Sequence, residues 1–328
     1  MITVTGATGH LGNVLIRELL EKGEKIRALI LPHEKVDSLS GLAIEKVPGD
    51  VCNPYSLEKA FEDAKIVFHC AGVISILPGK WKWLYRVNVQ GTKNVINACI
   101  KKKVKRLIYT SSIHALAELP QGELIDESTS FNPDQVLGDY SKSKALATLE
   151  VLKGIKQGLD AVIICPSGII GPYDYRLSEM GRLVLNYSQG KIKAYIDGIY
   201  DFVDVRDVAK GHILASEKGK KGECYILSGN QIKVYELFQI LEKLSGIKAP
   251  AFKMPYQLAK IAAFFNVLFC TIVKNQPLFT PFSIKVLKSN SLISNRKAVN
   301  ELGYSSRSLN KSISDTFQWF KEREEIRV

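Results

Sequence analysis

The chain has 328 residues, of which 46% are apolar and 24% charged, and a formal net charge of +12. This is an ordinary globular composition with room for a large core and one or two domains; nothing in it is low-complexity or repeated. The positive charge raises a nucleic-acid partner, but the basic runs KKKVKR (101–106) and KGKK (218–221) fall at helix-to-strand junctions without interleaved aromatics, so solvated surface is expected and no specific nucleic acid.

Residues 1–12 read MITVTGATGHLG: a short apolar strand, three glycines at Gly6, Gly9 and Gly12, and then the helical pattern Leu11, Val14, Leu15, Leu19. Glycines at such a turn let backbone approach a phosphate, and the free amides of the helix start favour an anion. The spacing G-x-x-G-x-x-G differs from the dinucleotide fingerprint G-x-G-x-x-G, but its place directly after a strand points the same way. With a strand following Met1 at once there is no room for a leader, and a cytoplasmic protein is expected.

Further strands are expected at 25–31, 42–48, 65–70, 106–112 and 160–166, with helices near 11–22, 54–63, 81–102 and 139–157. Asn53-Pro54 supplies a cap and a first-turn proline for the second helix. Several strands are apolar throughout, as when helices cover both faces of a parallel sheet. The pattern predicts a doubly wound α/β sheet with ligands outside the carboxyl ends of its strands.

After residue 166 the rhythm changes. GIIGPYDYR reads as a loop, 177–189 as a helix, 200–205 as a strand entering a helix through about 216, and 224–228 as a strand; helices follow at 233–245, 256–272, 281–289 and 309–324. This half is expected to build a smaller, mainly helical substrate lobe, with 200–228 returning to the main sheet. The segment 258–273 is apolar apart from Lys260 and Asn266, yet too short to span a bilayer. A buried or pocket-lining helix is expected; a membrane-surface contact or an apolar substrate would also suit it. The six cysteines are scattered singly and the histidines show no ligand spacing, so no metal is expected.

The chemistry concentrates mid-chain. The strand at 106–112 ends in Thr110-Ser111-Ser112, and Tyr140 and Lys144 lie four apart on the following helix. A nearby ammonium lowers a phenol's pKa and suits it to proton transfer, while a serine hydroxyl at the strand end holds the substrate oxygen. That is general acid–base chemistry between a carbonyl and an alcohol, and the hydride must come from a cofactor.

TGATGHLG, GDVCNP, HCAG, NVQGT, YTSS, YSKSK, PSGIIGP and FVDVRDVAKGH, in this order, resemble the extended short-chain dehydrogenase/reductases, an NAD-dependent epimerase/dehydratase superfamily. TSSIHAL and the C-terminal LGYSSRSL are most similar to its dihydroflavonol-reductase-like and 3β-hydroxysteroid-dehydrogenase-like members. The resemblance implies a dinucleotide-binding Rossmann domain at 1–166 and a substrate lobe at 167–328. It makes Tyr140 the acid/base, Lys144 the residue that bonds the nicotinamide ribose and tunes Tyr140, and Ser112 the group that polarises the carbonyl. Gly6, Thr8, Gly9 and Gly12 form the pyrophosphate turn with His10 and Leu11 at its crest. Asp50 and Val51 contact adenine, and Ala71 and Gly72 lie under the ribose and pyrophosphate. Thr110 and Ser111 flank the cofactor, Pro166, Ser167 and Ile169 meet the nicotinamide, and Asn88 either braces backbone or contacts cofactor. The family often pairs through the helices at 81–102 and 139–157, which implies a homodimer.

Two departures bear on specificity. The second strand ends Leu29-Ile30-Leu31-Pro32, without the acid of many NAD users or an arginine at Leu31; His33 and Lys35 could meet a 2′-phosphate, which favours NADP over NAD. The Tyr-Gly pair that usually follows the active hydroxyl of nucleotide-sugar epimerases is missing after Ser112, and diphosphate-gripping arginines are not obvious, although Arg176 and Arg182 lie in the right half. Tyr173, Tyr175, Tyr187, Phe264, Phe265 and Phe269 favour a fairly apolar substrate. The expected activity is reduction of a ketone or aldehyde, or its reverse; the alternatives are a nucleotide-sugar epimerase or dehydratase with tightly bound NAD, and a non-catalytic dinucleotide sensor.

Overall fold

The computed structural model describes residues 1–272, 277 and 279–326; the Phe269 side chain and residue 273 lie outside what is described. The first half alternates as expected: β1 (Ile2–Thr5), α1 (His10–Glu21), β2 (Ile26–Ile30), β3 (Glu45–Pro48), α2 (Pro54–Ala60), β4 (Ile66–His69), α3 (Trp81–Leu84), α4 (Gly91–Lys101), β5 (Arg106–Thr110), α5 (Gly138–Lys156) and β6 (Ala161–Pro166). Asn53 caps α2 by accepting from the Tyr55 amide, with Pro54 in the first turn. A π-helical turn, Tyr85–Gln90, joins α3 to α4 and holds Asn88; such turns recur at functional sites.

The second half holds β7 (Gly168–Ile170), α6 (Glu179–Ser188), β8 (Ala194–Tyr195), β9 (Ile199–Asp204), α7 (Val205–Lys218), β10 (Cys224–Leu227), β11 (Asn230–Lys233), α8 (Val234–Ser245), β12 (Phe252–Lys253), α9 (Tyr256–Ile272), α10 (Pro281–Val286) and α11 (Leu309–Glu322). Seven parallel strands in the order β10-β6-β5-β4-β1-β2-β3 make a doubly wound Rossmann sheet. One apolar layer packs α1 and α7 on one face, with Val14, Leu15 and Val208 fully or nearly buried. The opposite layer packs α2, α4 and α5, with Leu57, Val95 and Val151 buried. Burying both faces is what makes these strands read as unbroken apolar runs.

Two expectations are corrected. Of 200–228, α7 packs on the main sheet and β10 joins it as expected, but β9 lies at the centre of a separate three-stranded sheet, parallel to β7 and antiparallel to β11. Gly168, read as loop, opens β7, because a Cβ there would stand 2.6 Å from the Tyr200 ring and 2.8 Å from that of Phe202. The bare glycine lets β7 lie against the aromatic face of β9. The lobe has its own core, in which Tyr187, Leu241, Ile313 and Phe320 are buried. It is tied to α7 by charge: Arg206 bridges buried Asp204 and Asp315, and Arg307 pairs with Asp207. Part of the basic run at 101–106 is neutralised at home, Lys101 pairing with Glu58 and Arg106 with Asp160.

Candidate functional site

The strand order reverses between β1 and β4, and ligands of open α/β sheets bind at such a point. Gly6 follows β1 with φ +68°, and a Cβ on it would lie 2.6 Å from the Ala71 amide nitrogen. A Cβ on Gly12 would lie 2.1 Å from the Gly6 carbonyl oxygen, so both positions require glycine. The Gly9 amide donates to the Gly6 carbonyl at 3.0 Å, and Gly9 begins α1 with no side-chain cap. The remaining amides of that first turn are therefore left for an anion. This cradle fits the pyrophosphate of a dinucleotide.

Its walls are braced by side chains. Thr5 Oγ1 bonds buried His69 at 2.7 Å and accepts from the Ala71 amide at 3.2 Å, while His69 also bonds Thr92. Burial keeps the His69 ring neutral, its pKa pushed down to about 3. The Thr8 carbonyl accepts from Ser38, and His10 Nε2 meets the Pro172 carbonyl at 2.9 Å. Buried Leu11 packs into the core beneath the turn. At the far end Asp50 accepts from the Cys52 amide at 2.8 Å, and buried Val51 packs so tightly on α4 that a Cβ at Gly91 would meet it at 2.9 Å. Gly72 faces Asn88, whose amide group accepts from the Val73 nitrogen and donates to the Val73 carbonyl and to Ser143. Ser143 in turn donates to the Tyr140 carbonyl at 2.7 Å. Asn88 is thus engaged with backbone and with the helix that carries Tyr140.

The three serine/threonine hydroxyls after β5 have different partners. Thr110 Oγ1 bonds His212 at 2.9 Å, and Ser111 Oγ bonds Thr148 of α5 at 2.7 Å in a buried contact. Ser112 accepts from the His114 amide at 3.2 Å and lies near enough to Tyr140 to draw its phenol's pKa down. The extended backbone of a strand end points successive side chains to opposite sides, which turns Ser111 into the α5 interface and Ser112 into the cleft. Tyr140 is half-buried, and burial pushes its phenol up to about 12, with the Ser112 hydroxyl drawing it down. Lys144 is 6% exposed. Its ammonium donates to the Thr110 carbonyl at 2.6 Å and lies 4.8 Å from the centre of the Tyr109 ring. Desolvation lowers its pKa to about 8. The expected tuning of the phenol by the ammonium is not the governing effect: burial sets the Tyr140 pKa, and the lysine is engaged with β5.

Beyond Tyr140 the wall comes from β6, β7 and β9. Pro166 pairs with Leu227 in the sheet, Ser167 is buried with its hydroxyl beside Asp201, and Ile169 is half-buried on β7. Motif reading missed His114 and Tyr200, whose ring nitrogen and hydroxyl meet at 2.9 Å. Burial raises the Tyr200 phenol, and Tyr140 is close enough that its phenolate would raise it further. Burial holds His114 neutral, its pKa near 4. His114 stands two residues past Ser112, but nothing in the sequence pairs it with a strand some eighty-six positions later. Asp201, also missed, is buried beside Ser167, and desolvation raises its carboxyl above the usual range.

The profile of the 3-beta hydroxysteroid dehydrogenase/isomerase family matches residues 3–236. The chain belongs to this family. It is an extended short-chain dehydrogenase/reductase and an NAD(P)-dependent oxidoreductase. Among its relatives, Sterol demethylase protein B of Methylococcus capsulatus is 35% identical, with 98% of each chain covered. A putative dihydroflavonol 4-reductase of Synechocystis is 33% identical over 97% of this chain and 94% of its own. The crystal structure of gox2253 superposes with a TM-score of 0.88 at 33% identity, covering 100% of this chain and 99% of that one. In this family member the switch-point glycines and the Ser112–Tyr140–Lys144 group sit at the carboxyl ends of β1 and β5 and the start of α5.

Proposed function

We propose that this protein interconverts a secondary alcohol and a ketone on an apolar, ring-containing substrate of the sterol class. The observation that carries the reading is the anchoring of Lys144 of α5 to the Thr110 carbonyl of β5, which sets Tyr140 beside Ser112, the hydroxyl that draws the phenol's pKa down. A bound nicotinamide dinucleotide supplies or accepts the hydride. In the reducing direction Ser112 donates a hydrogen bond to the substrate oxygen and Tyr140 gives it a proton; in the oxidising direction Tyr140 takes that proton back. Lys144 fastens the helix of Tyr140 to β5 and would hold the dinucleotide ribose. The lobe built on β7, β9, α6, α8 and α11 closes over the substrate. Sterol chemistry is suggested by the name of the Methylococcus relative, Sterol demethylase protein B.

The cofactor assigned is NADP. His33 and Lys35 follow β2 closely, and Glu34, the carboxylate between them, is paired with Arg176 and so is not free to accept from ribose hydroxyls. The same pair weakens the nucleotide-sugar alternative, since it occupies one of the two arginines available for a diphosphate; Arg182 stands 3.7 Å from Glu179. Two copies are proposed to pair through the helical stretch of α3 and α4 together with α5, where Trp83 and Tyr85 are exposed.

The test is a product balance. Purified protein is given NADP or NAD with 3-hydroxy sterols, and reduced dinucleotide is compared with ketone formed. Equal amounts support the reading. Sugar-nucleotide conversion without net change in added dinucleotide would replace it with the epimerase.

A further inference from the structure

The helix α9 is packed with its small residues inward and its large ones outward. Ala259 and Ala263 are fully buried, resting on Ile284 of α10 with Ile196, Met254, Tyr256 and Phe279 around them. Leu258, Ile261, Phe264 and Phe265 face away and are 56–62% exposed. Residues 258, 261 and 265 follow one helical stripe, and 264 widens it. A contiguous apolar patch of this kind on a soluble chain marks an interaction surface. It contrasts with α1, in which the large apolar residues Leu11, Val14, Leu15, Ile16 and Leu19 are all buried.

Charge identifies the partner. From Gly246 to Asn300 the chain carries no Asp or Glu, while Lys248, Lys253, Lys260, Lys285 and Lys288 all fall there. Of these, Lys253 pairs with Asp197, but Lys260 and Lys288 both lie over the Tyr256 ring at the start of α9. Bulky apolar residues on one face, cations at the first turn and no acid within the stretch, with only Asp197 and Glu118 near its lysines among the described residues, suit a helix lying in the interface of a negatively charged bilayer. At 17 residues α9 is too short to span one, and no helix among the described residues is long and apolar enough to do so.

The same unit roofs the candidate site. Phe282 of α10 lies where a Cβ on Gly138 would meet its ring at 2.6 Å, and Gly138 opens α5 two residues before Tyr140. Val286 and the following Ser289–Ser291 line a small cavity with His114 and Tyr200. We infer that the outward face of α9 docks on an anionic lipid surface and sets the mouth of the Tyr140 cleft against the bilayer. That an apolar substrate enters from the lipid rests on the reading given under Proposed function; the docking itself does not.

Vesicle flotation of the full chain, without substrate or dinucleotide, tests the docking separately from the reaction. The probes are phosphatidylcholine vesicles with and without about one-third phosphatidylglycerol, at low and high salt. Expected is flotation with the anionic vesicles that falls about tenfold in Ile261→Glu/Phe265→Glu, both outward-facing positions. Lys260→Glu/Lys288→Glu, which leaves the apolar stripe intact, should also lose about tenfold or more at low salt, since each basic residue near such a surface contributes about a fivefold change. Thermal unfolding of the variants near that of the parent keeps the comparison valid. Absence of flotation, flotation unchanged in both variants, or a dimer in solution that Ile261→Glu/Phe265→Glu turns into monomer would each overturn the inference, the last by showing that a second copy covers the face.

Discussion

The Lys144 ammonium donates to the Thr110 carbonyl at 2.6 Å, so the helix that carries Tyr140 is fastened by its own lysine to the strand that presents Ser112. Tyr140 and Ser112 are held in register by one charge-assisted bond. Desolvation has lowered the lysine to about 8, close to working pH. Turnover in the reducing direction should therefore be level below pH 8 and fall as the ammonium loses its proton above it. Lys144→Arg, which stays charged throughout, should shift that fall upward, whatever its absolute rate. A profile that stays level to pH 10 in the parent would show that the lysine charge does not matter.

Ser111 and Ser112 offer a contrast between neighbours. Ser111 bonds Thr148 inside the α5 interface, whereas Ser112 lies near Tyr140. Ser112→Ala should cut turnover about 100-fold, the usual scale for one lost polarising donor, and leave the melting temperature nearly unchanged. Ser111→Ala should do the reverse, costing about 1 kcal/mol of stability with turnover within a few-fold of the parent. Steady-state rates and thermal melts on the two variants decide it; equal losses of turnover would contradict the assignment.

Tyr200 and His114 meet close to Tyr140 and Ser112. Tyr200→Phe keeps the ring that stacks on Phe202 and removes the hydroxyl alone. If that hydroxyl positions substrate, KM should rise about tenfold while dinucleotide binding holds. An unchanged KM would leave the pair a structural role only.

Two buried histidines, His69 and His212, and the half-buried His114 make stability depend on acid. His69, His114 and His212 are held neutral by burial, at about 3, 4 and 4. The unfolded rings titrate near 6.5, so the unfolded chain binds more protons between these values and stability must fall as pH drops from about 6.5 toward 4. By pH 4 each ring costs up to about 3 kcal/mol. Melting temperature measured from pH 7 to pH 4 should decline through this window, less steeply in His212→Gln. A flat profile would contradict the neutral assignment.

The Rossmann half was legible because its signals are local: unbroken apolar strands, the Asn53-Pro54 start, and glycines at Gly6 and Gly12 whose missing Cβ atoms are needed where β1 meets β4. Tyr140 and Lys144 could be read from spacing alone, since i and i+4 share a helix face. The second half resisted. Gly168 looked like loop because its reason for being glycine is the Tyr200 ring, thirty-two positions away. The His114–Tyr200 contact and the Phe282 roof over Gly138 are likewise long-range matches between residues that carry no motif. Leu258, Ile261 and Phe265 were visible as an apolar run, but only the packing of Ala259 and Ala263 shows which side faces out.

Tyr140 is the proposed proton carrier. The most direct measurement pairs turnover of a secondary alcohol with dinucleotide affinity in Tyr140→Phe. Loss of the phenolic hydroxyl should lower turnover at least 100-fold, while NADP binds with the parent's affinity and the protein melts as before. Turnover close to the parent's, in a variant that binds dinucleotide normally, would contradict the mechanism.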